Sequence, residues 1–249
     1  MQPVRHVLSF GGGVNSVALM IWLLKEQRPL DEVVFADTGV ELPETYGYLP
    51  VVEDYLACHQ VKFTRLLARV RGRDLYETCW ERKVFPSTIW RWSTRDFKVK
   101  PIHRYYRSLG MHINQYLAIA FDEFTRMKTS RVSYVTNIYP LVSQRATRAD
   151  CIALIQQAGL PLPVKSSCFF CPFSSLDRWK WLYEKHPDLY EKSVALEERS
   201  KHFPDQRLTD QIFRKRASVT LRELPMYFDR AEEVQLDDSL LPCGGECHT

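Results

Sequence analysis

Apolar positions in the first third of the chain gather into short runs divided by turn residues. Val4, Val7, Leu8 and Phe10 mark a buried strand over 4–10, and the run from Val17 to Leu24 opens a helix predicted over 15–27. A second strand follows at Glu32–Asp37, a second helix over 44–59 and a third strand over 61–67. Such alternation predicts βαβ units and a parallel sheet covered on both faces, with ligands beyond the carboxyl ends of the strands. Further on, Tyr116 to Phe121 reads as another buried strand ending in Asp122-Glu123. Thr147 is placed to cap a helix over 148–158, closed by Gly159 and Pro161. Helical patterns resume at Leu176 and again over 187–200, where the aromatics suit a core better than a site. The expected organisation is an α/β domain over 1–145 and a helical, cysteine-bearing region over 146–249.

The first strand and helix are joined by Ser9-Phe10-Gly11-Gly12-Gly13-Val14-Asn15-Ser16. Three glycines let the backbone turn sharply and bring N–H groups close to an anion with no Cβ in the way. The helix start behind them adds partial positive charge and unpaired donors, so the turn is a candidate phosphate cradle. It is not a Walker loop, because Val14-Asn15-Ser16 supplies no Lys. It is not a dinucleotide fingerprint either, because Ser16 stands where the third glycine belongs. Asp37, Thr38 and Gly39 end the second strand on the same predicted edge. There an Asp serves as a turn residue or, beside phosphates, binds Mg²⁺ or a ribose.

Composition narrows the partners. A hydrophobic share of 45% is ordinary for a globular chain, and no apolar run approaches the ~20 residues of a membrane span. The N-terminal pattern is not that of a signal peptide, so a cytoplasmic location is expected. The net charge of +4 is unevenly placed: from Lys62 to Arg107 there are 13 Lys/Arg against four acids. The same stretch carries Cys79-Trp80 and Trp90-Arg91-Trp92, and cations with aromatics suit phosphates and splayed bases. The alternative is a solvated face whose cationic stems cover aromatic rings. Seven cysteines without a secretory pattern favour metal or redox roles over disulfides. Cys168-Phe-Phe-Cys171 is a CxxC; Cys151 lies in the first turn of the 148–158 helix, and Cys243 and Cys247 form a terminal pair. Spacing alone does not choose between zinc and iron–sulfur.

With these motifs in view, the chain resembles the PP-loop (adenine nucleotide alpha hydrolase) superfamily, and within it the PAPS reductase-like branch. Gly12, Gly13 and Ser16 match the SGGxxS-type loop, while Gly11 replaces its first Ser. Phe35-Ala36-Asp37-Thr38-Gly39 with Pro43-Glu44-Thr45-Tyr46 resembles the second-strand motif. Ser93-Thr94-Arg95-Asp96-Phe97-Lys98-Val99-Lys100-Pro101 is similar to C-T-x-x-[FYL]-K-[IV]-[KR]-P, a stretch also found in the ATP pyrophosphatase of DNA phosphorothioation systems. Ser93 stands in place of the usual Cys.

The resemblance implies a Rossmann-like parallel sheet of HUP/PP-loop type with a helical extension. It implies ATP and Mg²⁺ as ligands, with Ser9, Gly11, Gly12, Gly13, Asn15, Ser16, Asp37 and Thr38 binding the nucleotide. Ser16, Asp37, Arg95 and Lys98 are the candidate catalytic residues, and Asp122 and Glu123 carry less weight. Cys151, Cys168 and Cys171 are the candidate ligands of a [4Fe–4S] cluster or of zinc, with the fourth position taken by Ser93 or Cys79 or left open in a three-thiolate site. The expected activity is cleavage of ATP to AMP and pyrophosphate, activating a nucleotide or nucleic acid for sulfur transfer. A cysteine desulfurase would be a fitting sulfur donor. A thiol-dependent PAPS or adenylyl-sulfate reductase and a non-catalytic, metal-stabilised nucleic-acid-binding module are the alternatives.

Overall fold

In the computed structural model, residues 3–86, 91–200, 208–209 and 219–228 are described. The chain order is β1 (Val4–Phe10), α1 (Val14–Lys25), β2 (Glu32–Asp37), α2 (Pro43–Cys58), β3 (Lys62–Leu67), α3 (Leu75–Arg82) and α4 (Trp92–Thr94). A π-helical turn (Arg95–Val99) leads into α5 (Lys100–Ser108), followed by β4 (His112–Leu117), a 3-10 turn (Phe121–Arg126), β5 (Val135–Ile138) and α6 (Pro140–Ser143). Then come α7 (Arg148–Gln157), α8 (Leu176–Lys185), α9 (Pro187–Arg199) and a 3-10 turn (Leu224–Tyr227). No helix among the described residues is long and apolar enough to cross a membrane.

The chain forms two compact units, one drawn from 1–68 and 94–166, the other from 69–93 and 167–243. The segment 69–93, which lies between strands of the α/β unit in the sequence, folds with the helical unit instead.

The first unit is a five-stranded sheet in the order β3-β2-β1-β4-β5, parallel throughout. It is the α/β, Rossmann-like architecture that the alternation predicts. The chain runs outward from β1 to β3 and resumes at β4 on the other side of β1, so the strand order reverses between β1 and β4. That switch point opens a crevice at the carboxyl ends of the strands. Strand alternation divides the core in two. Leu8, Phe10, Val33 and Phe35 pack with α1, α2 and α7 on one face. Val7, Val34, Ala36, Ile113 and Val135 meet Ile102 and Tyr106 of α5 on the other. β4 spans 112–117 instead of 116–121. Its first half alternates polar and apolar residues, and the buried Ala118-Ile119-Ala120 that follows pairs with no described strand. The four-residue edge strand β5 left no pattern of its own in the sequence.

At the amino end of β2, Glu32 is fully buried. It accepts hydrogen bonds from Thr64 and from Tyr105 (2.6 Å), and it faces Arg5 (3.2 Å) and Lys62 (3.1 Å). Burial alone would raise its pKa, but the bonds from Thr64, Tyr105 and Lys62 outweigh it and hold the carboxyl below its ordinary range. A depressed folded pKa contributes stability above the unfolded value near ~4.3, and that contribution is lost as pH falls through the folded value. Glu32→Gln should therefore melt below the parent at pH 7, and the gap should narrow as pH falls below the unfolded value of ~4.3 in thermal melts across pH.

The second unit is helical. Trp179 of α8 meets Tyr190 of α9 edge to face at 6.1 Å, and Tyr190 donates to the Leu221 carbonyl (2.5 Å). The buried Glu197 accepts from the Leu208 (2.8 Å) and Leu221 (2.6 Å) amides. Residues 69–93 belong here because Tyr76 of α3 packs on Phe169 and Phe170, and Arg199 of α9 lies 4.5 Å over Trp80.

Candidate functional site: a phosphate loop at the switch point

β1 ends at Phe10 and the glycines turn the chain into α1 at the switch point. Gly12 has φ +78°, a conformation that costs an L residue about 1–2 kcal/mol. A Cβ there would also stand 3.0 Å from Thr45 Cγ2. Gly13 is the N-cap of α1; its N–H donates to Ser16 Oγ (3.1 Å) and its carbonyl accepts the Ser16 hydroxyl (2.9 Å). Ser16 thus holds the loop in shape from one turn into the helix. Asn15 is buried, and its amide donates to Glu123 (3.2 Å), which is ion-paired with Arg126. Glu123 therefore positions the first turn of α1.

Two hydroxyl-bearing side chains pack against this loop. Ser166 Oγ lies 3.1 Å from where a Gly13 Cβ would stand, and the Thr45 methyl is the closest neighbour of the Gly12 position. Both residues are buried, and neither hydroxyl has a hydrogen-bond partner among the described residues. Buried polar atoms left unpaired cost about 1–3 kcal/mol each and call for an explanation. An anion seated on the glycines would accept from the Ser166 hydroxyl. Ser166 carries no motif in the sequence; its one signal is a small polar residue two positions before Cys168. Ser166→Ala should weaken pyrophosphate binding about tenfold in calorimetric titration, while the melting temperature holds or rises, since the hydroxyl makes no bond to any described residue.

The loop after β2 is built around Asp37. It is buried, and its carboxylate accepts from Tyr46 OH (2.7 Å), the Gly39 amide (2.8 Å) and Arg65 Nε and Nη2 (2.9 and 2.7 Å). Arg65 also lies 5.1 Å over the Tyr46 ring. Burial raises the Asp37 pKa, but these bonds overcome it and keep the carboxylate ionised. Burial and the bond to Asp37 push the Tyr46 phenol up, fixing it as a donor. Asp37 therefore shapes the loop, with its oxygens already engaged by protein donors. Thr38 donates to Glu41 Oε1 (3.2 Å), and Lys98 of the π-helical turn pairs with the same oxygen (3.2 Å). The Lys98 and Glu41 side chains are 10% and 1% exposed, so this is a buried ion pair. Arg95 is exposed and forks onto Asp96. Asp122 takes the Arg148 amide (3.4 Å) at the start of α7.

The cationic stretch is largely spent locally. Lys62 pairs with Glu32, Arg73 with Glu81 and Lys100 with Asp96, while Arg82 lies over Trp92 and Arg107 over Tyr134. The solvated-face alternative describes these side chains better than an open track.

The candidate metal ligands fall in different units. Cys151 is buried on α7 in the first. Cys168 and Cys171 stand half-buried on one turn in the second, with the Cys171 amide donating to the Cys168 carbonyl (3.2 Å) and no disulfide between them. Cys79 is fully buried on α3, and burial pushes its thiol well up, which disfavours it as a substitute ligand. Among the described residues no group of three or more His, Cys, Asp or Glu is assembled to hold a metal ion. Trp90, Cys243 and Cys247 lie outside the described residues.

A parallel sheet whose glycine loop turns into α1 at the switch point defines an α/β nucleotide-binding protein of the PP-loop type. Residues 5–163 match the phosphoadenosine phosphosulfate reductase domain, and the chain belongs to that family. An uncharacterized protein of Methanocaldococcus jannaschii is 26% identical over 216 residues, covering 81% of this chain and 43% of the relative. A phosphoadenosine 5'-phosphosulfate reductase of Yersinia pseudotuberculosis is 31% identical over 108 residues, 43% of each chain. The matched stretch thus spans less than half the length of these two relatives. The U34-tRNA thiolase NcsA of Methanococcus maripaludis, solved with its [4Fe-4S] cluster, aligns at a TM-score of 0.49 and 14% identity over 81% of this chain and 74% of that one.

Proposed function

We propose that the chain is an ATP pyrophosphatase that activates an oxygen of a nucleotide or nucleic-acid acceptor for sulfur transfer. The observation that carries this is the unpartnered hydroxyl of Ser166 set against Gly13, beside a Gly12 at φ +78° whose Cβ would stand 3.0 Å from Thr45 Cγ2. Such a cradle holds a phosphate-bearing leaving group. An acceptor oxygen attacks the α-phosphorus of ATP, the bond to the bridging oxygen of the β-phosphate breaks, and pyrophosphate leaves onto Gly11, Gly12 and Gly13. Preorganised donors aimed at the charge that develops there supply the main rate gain, and Ser16 keeps the turn in that geometry. Asp37 and Thr38 position the loop after β2, with Lys98 held close by Glu41. Mg²⁺ would neutralise the phosphate oxygens, and in such sites it is bound mainly by the phosphates and water with one or two carboxylates. A sulfur nucleophile then displaces AMP from the acceptor; a persulfide on Cys168, its outer sulfur supplied by a cysteine desulfurase, would serve, with the Cys171 thiol releasing the thiolated product as a Cys168–Cys171 disulfide that an external thiol reduces.

The test is a pair of product assays on the purified chain. Pyrophosphate released from ATP in the presence of acceptor supports the proposal. Sulfite released from PAPS with thioredoxin, without pyrophosphate from ATP, would overturn it in favour of the reductase.

A further inference from the structure

The same strand edge carries a second opening, on the other face of the sheet. Phe10 and Leu8 face α1, so Ser9 between them faces α5, together with Gln115 and Asn137 of the neighbouring strands. These three floor a cavity of about 320 Å³, walled by Arg95 and His103 on one side and by Lys128 and Arg131 on the other. Among the described residues no carboxylate lines it. Its polar floor is ordered: Gln115 donates to Asn137 (3.0 Å), and Asn137 donates to the Lys128 carbonyl (2.9 Å), which fixes the segment that brings in Lys128. Arg95 is already paired with Asp96. The exposed Lys128 and Arg131 side chains make no hydrogen bond or ion pair with any described residue. Burial and the nearby Arg107 keep His103 below its ordinary range, so at neutral pH the imidazole adds a polar contact without charge.

We propose that this cavity is a second anion site that takes a phosphate group of the nucleotide acceptor, on the face of the sheet opposite the glycine loop. Two cations with no hydrogen bond or ion pair among the described residues, over a floor of amides and a hydroxyl, are suited to a phosphate, and the volume is at the small end of ligand pockets, the size of one nucleotide unit. With the ATP phosphates on the α1 side, an acceptor phosphate on the α5 side would place the two reactants at the same switch point from opposite faces. The proposal rests on the pyrophosphatase reading for what the acceptor is; the anion site itself does not.

The experiment compares the parent with Lys128→Ala/Arg131→Ala, both exposed positions whose loss leaves the core intact. With a non-hydrolysable ATP analogue at saturation, binding of a fluorescein-labelled single-stranded oligonucleotide and of a pyrimidine mononucleotide is measured across a salt series. For the oligonucleotide, the double variant should bind about tenfold more weakly, with the slope of log K against log salt reduced by about 1.4, the share of two phosphate contacts on a single strand. Its affinity for the ATP analogue should change less than about twofold. A loss seen with the mononucleotide alone assigns the site to a free nucleotide; a loss with both assigns it to a strand. An equal loss of ATP-analogue affinity, or no loss for either acceptor, overturns the site. If the analogue fails to bind the parent at all, the pyrophosphatase reading falls, and the acceptor arms still decide the anion site.

Discussion

Gly12→Ala should abolish pyrophosphate release, with kcat/KM for ATP falling by a factor of about 10²–10³, the scale of a lost transition-state donor. The cause is local and twofold. Gly12 sits at φ +78°, where an L residue is strained, and the new methyl would meet Thr45 Cγ2 at 3.0 Å. The turn would relax by swinging an amide off the anion or by pushing Thr45 aside, and either motion deforms the cradle. Folding should suffer less than activity, by about 1–2 kcal/mol, because the strain is confined to one residue. Thermal melts beside ATP turnover check the split. Activity within about threefold of the parent would remove the glycine turn from the mechanism.

Lys98→Met should be the most destabilising single change in the first unit, by about 3–5 kcal/mol, because it strands Glu41 as an uncompensated buried charge. Glu41 is 1% exposed and shares its Oε1 between Lys98 and Thr38, so the loss also loosens the loop after β2. Adding Glu41→Gln should return most of the stability, since replacing both members of a buried pair costs far less than removing one. Urea denaturation of the two singles and the double measures this coupling. If the double variant folds like the parent yet releases pyrophosphate about 10²-fold more slowly, Lys98 acts on the phosphates as well as on Glu41. Full recovery of turnover would make it a structural residue only.

The sheet was legible wherever a local pattern determined it. β1 and β2 read at their observed bounds because short apolar runs ended by glycines or Asp-Thr-Gly have few alternatives. The α7 cap was equally plain, since Thr147 and Asp150 bond each other's amides within one turn. β4 was displaced in the reading because half its side chains are polar and its place beside β1 comes from pairing, not from hydropathy. The cationic stretch was legible only as a charge count for a related reason: only the fold shows that Arg65 is bound to Asp37, Lys98 to Glu41 and Lys62 to Glu32.

By itself, the sequence determined a glycine turn between a buried strand and a helix, an acidic turn after the second strand, and a paired-cysteine motif. These are short-range constraints on backbone and spacing, and they travel with the residues. Only the tertiary structure decided what surrounds the turn. Ser166 reaches Gly13 from far along the chain, Glu123 reaches Asn15 across 108 positions, and Gln115, Asn137 and Arg95 meet on the far face of the sheet. Contacts of that separation depend on strand order and on which face each side chain takes, and no local pattern encodes either.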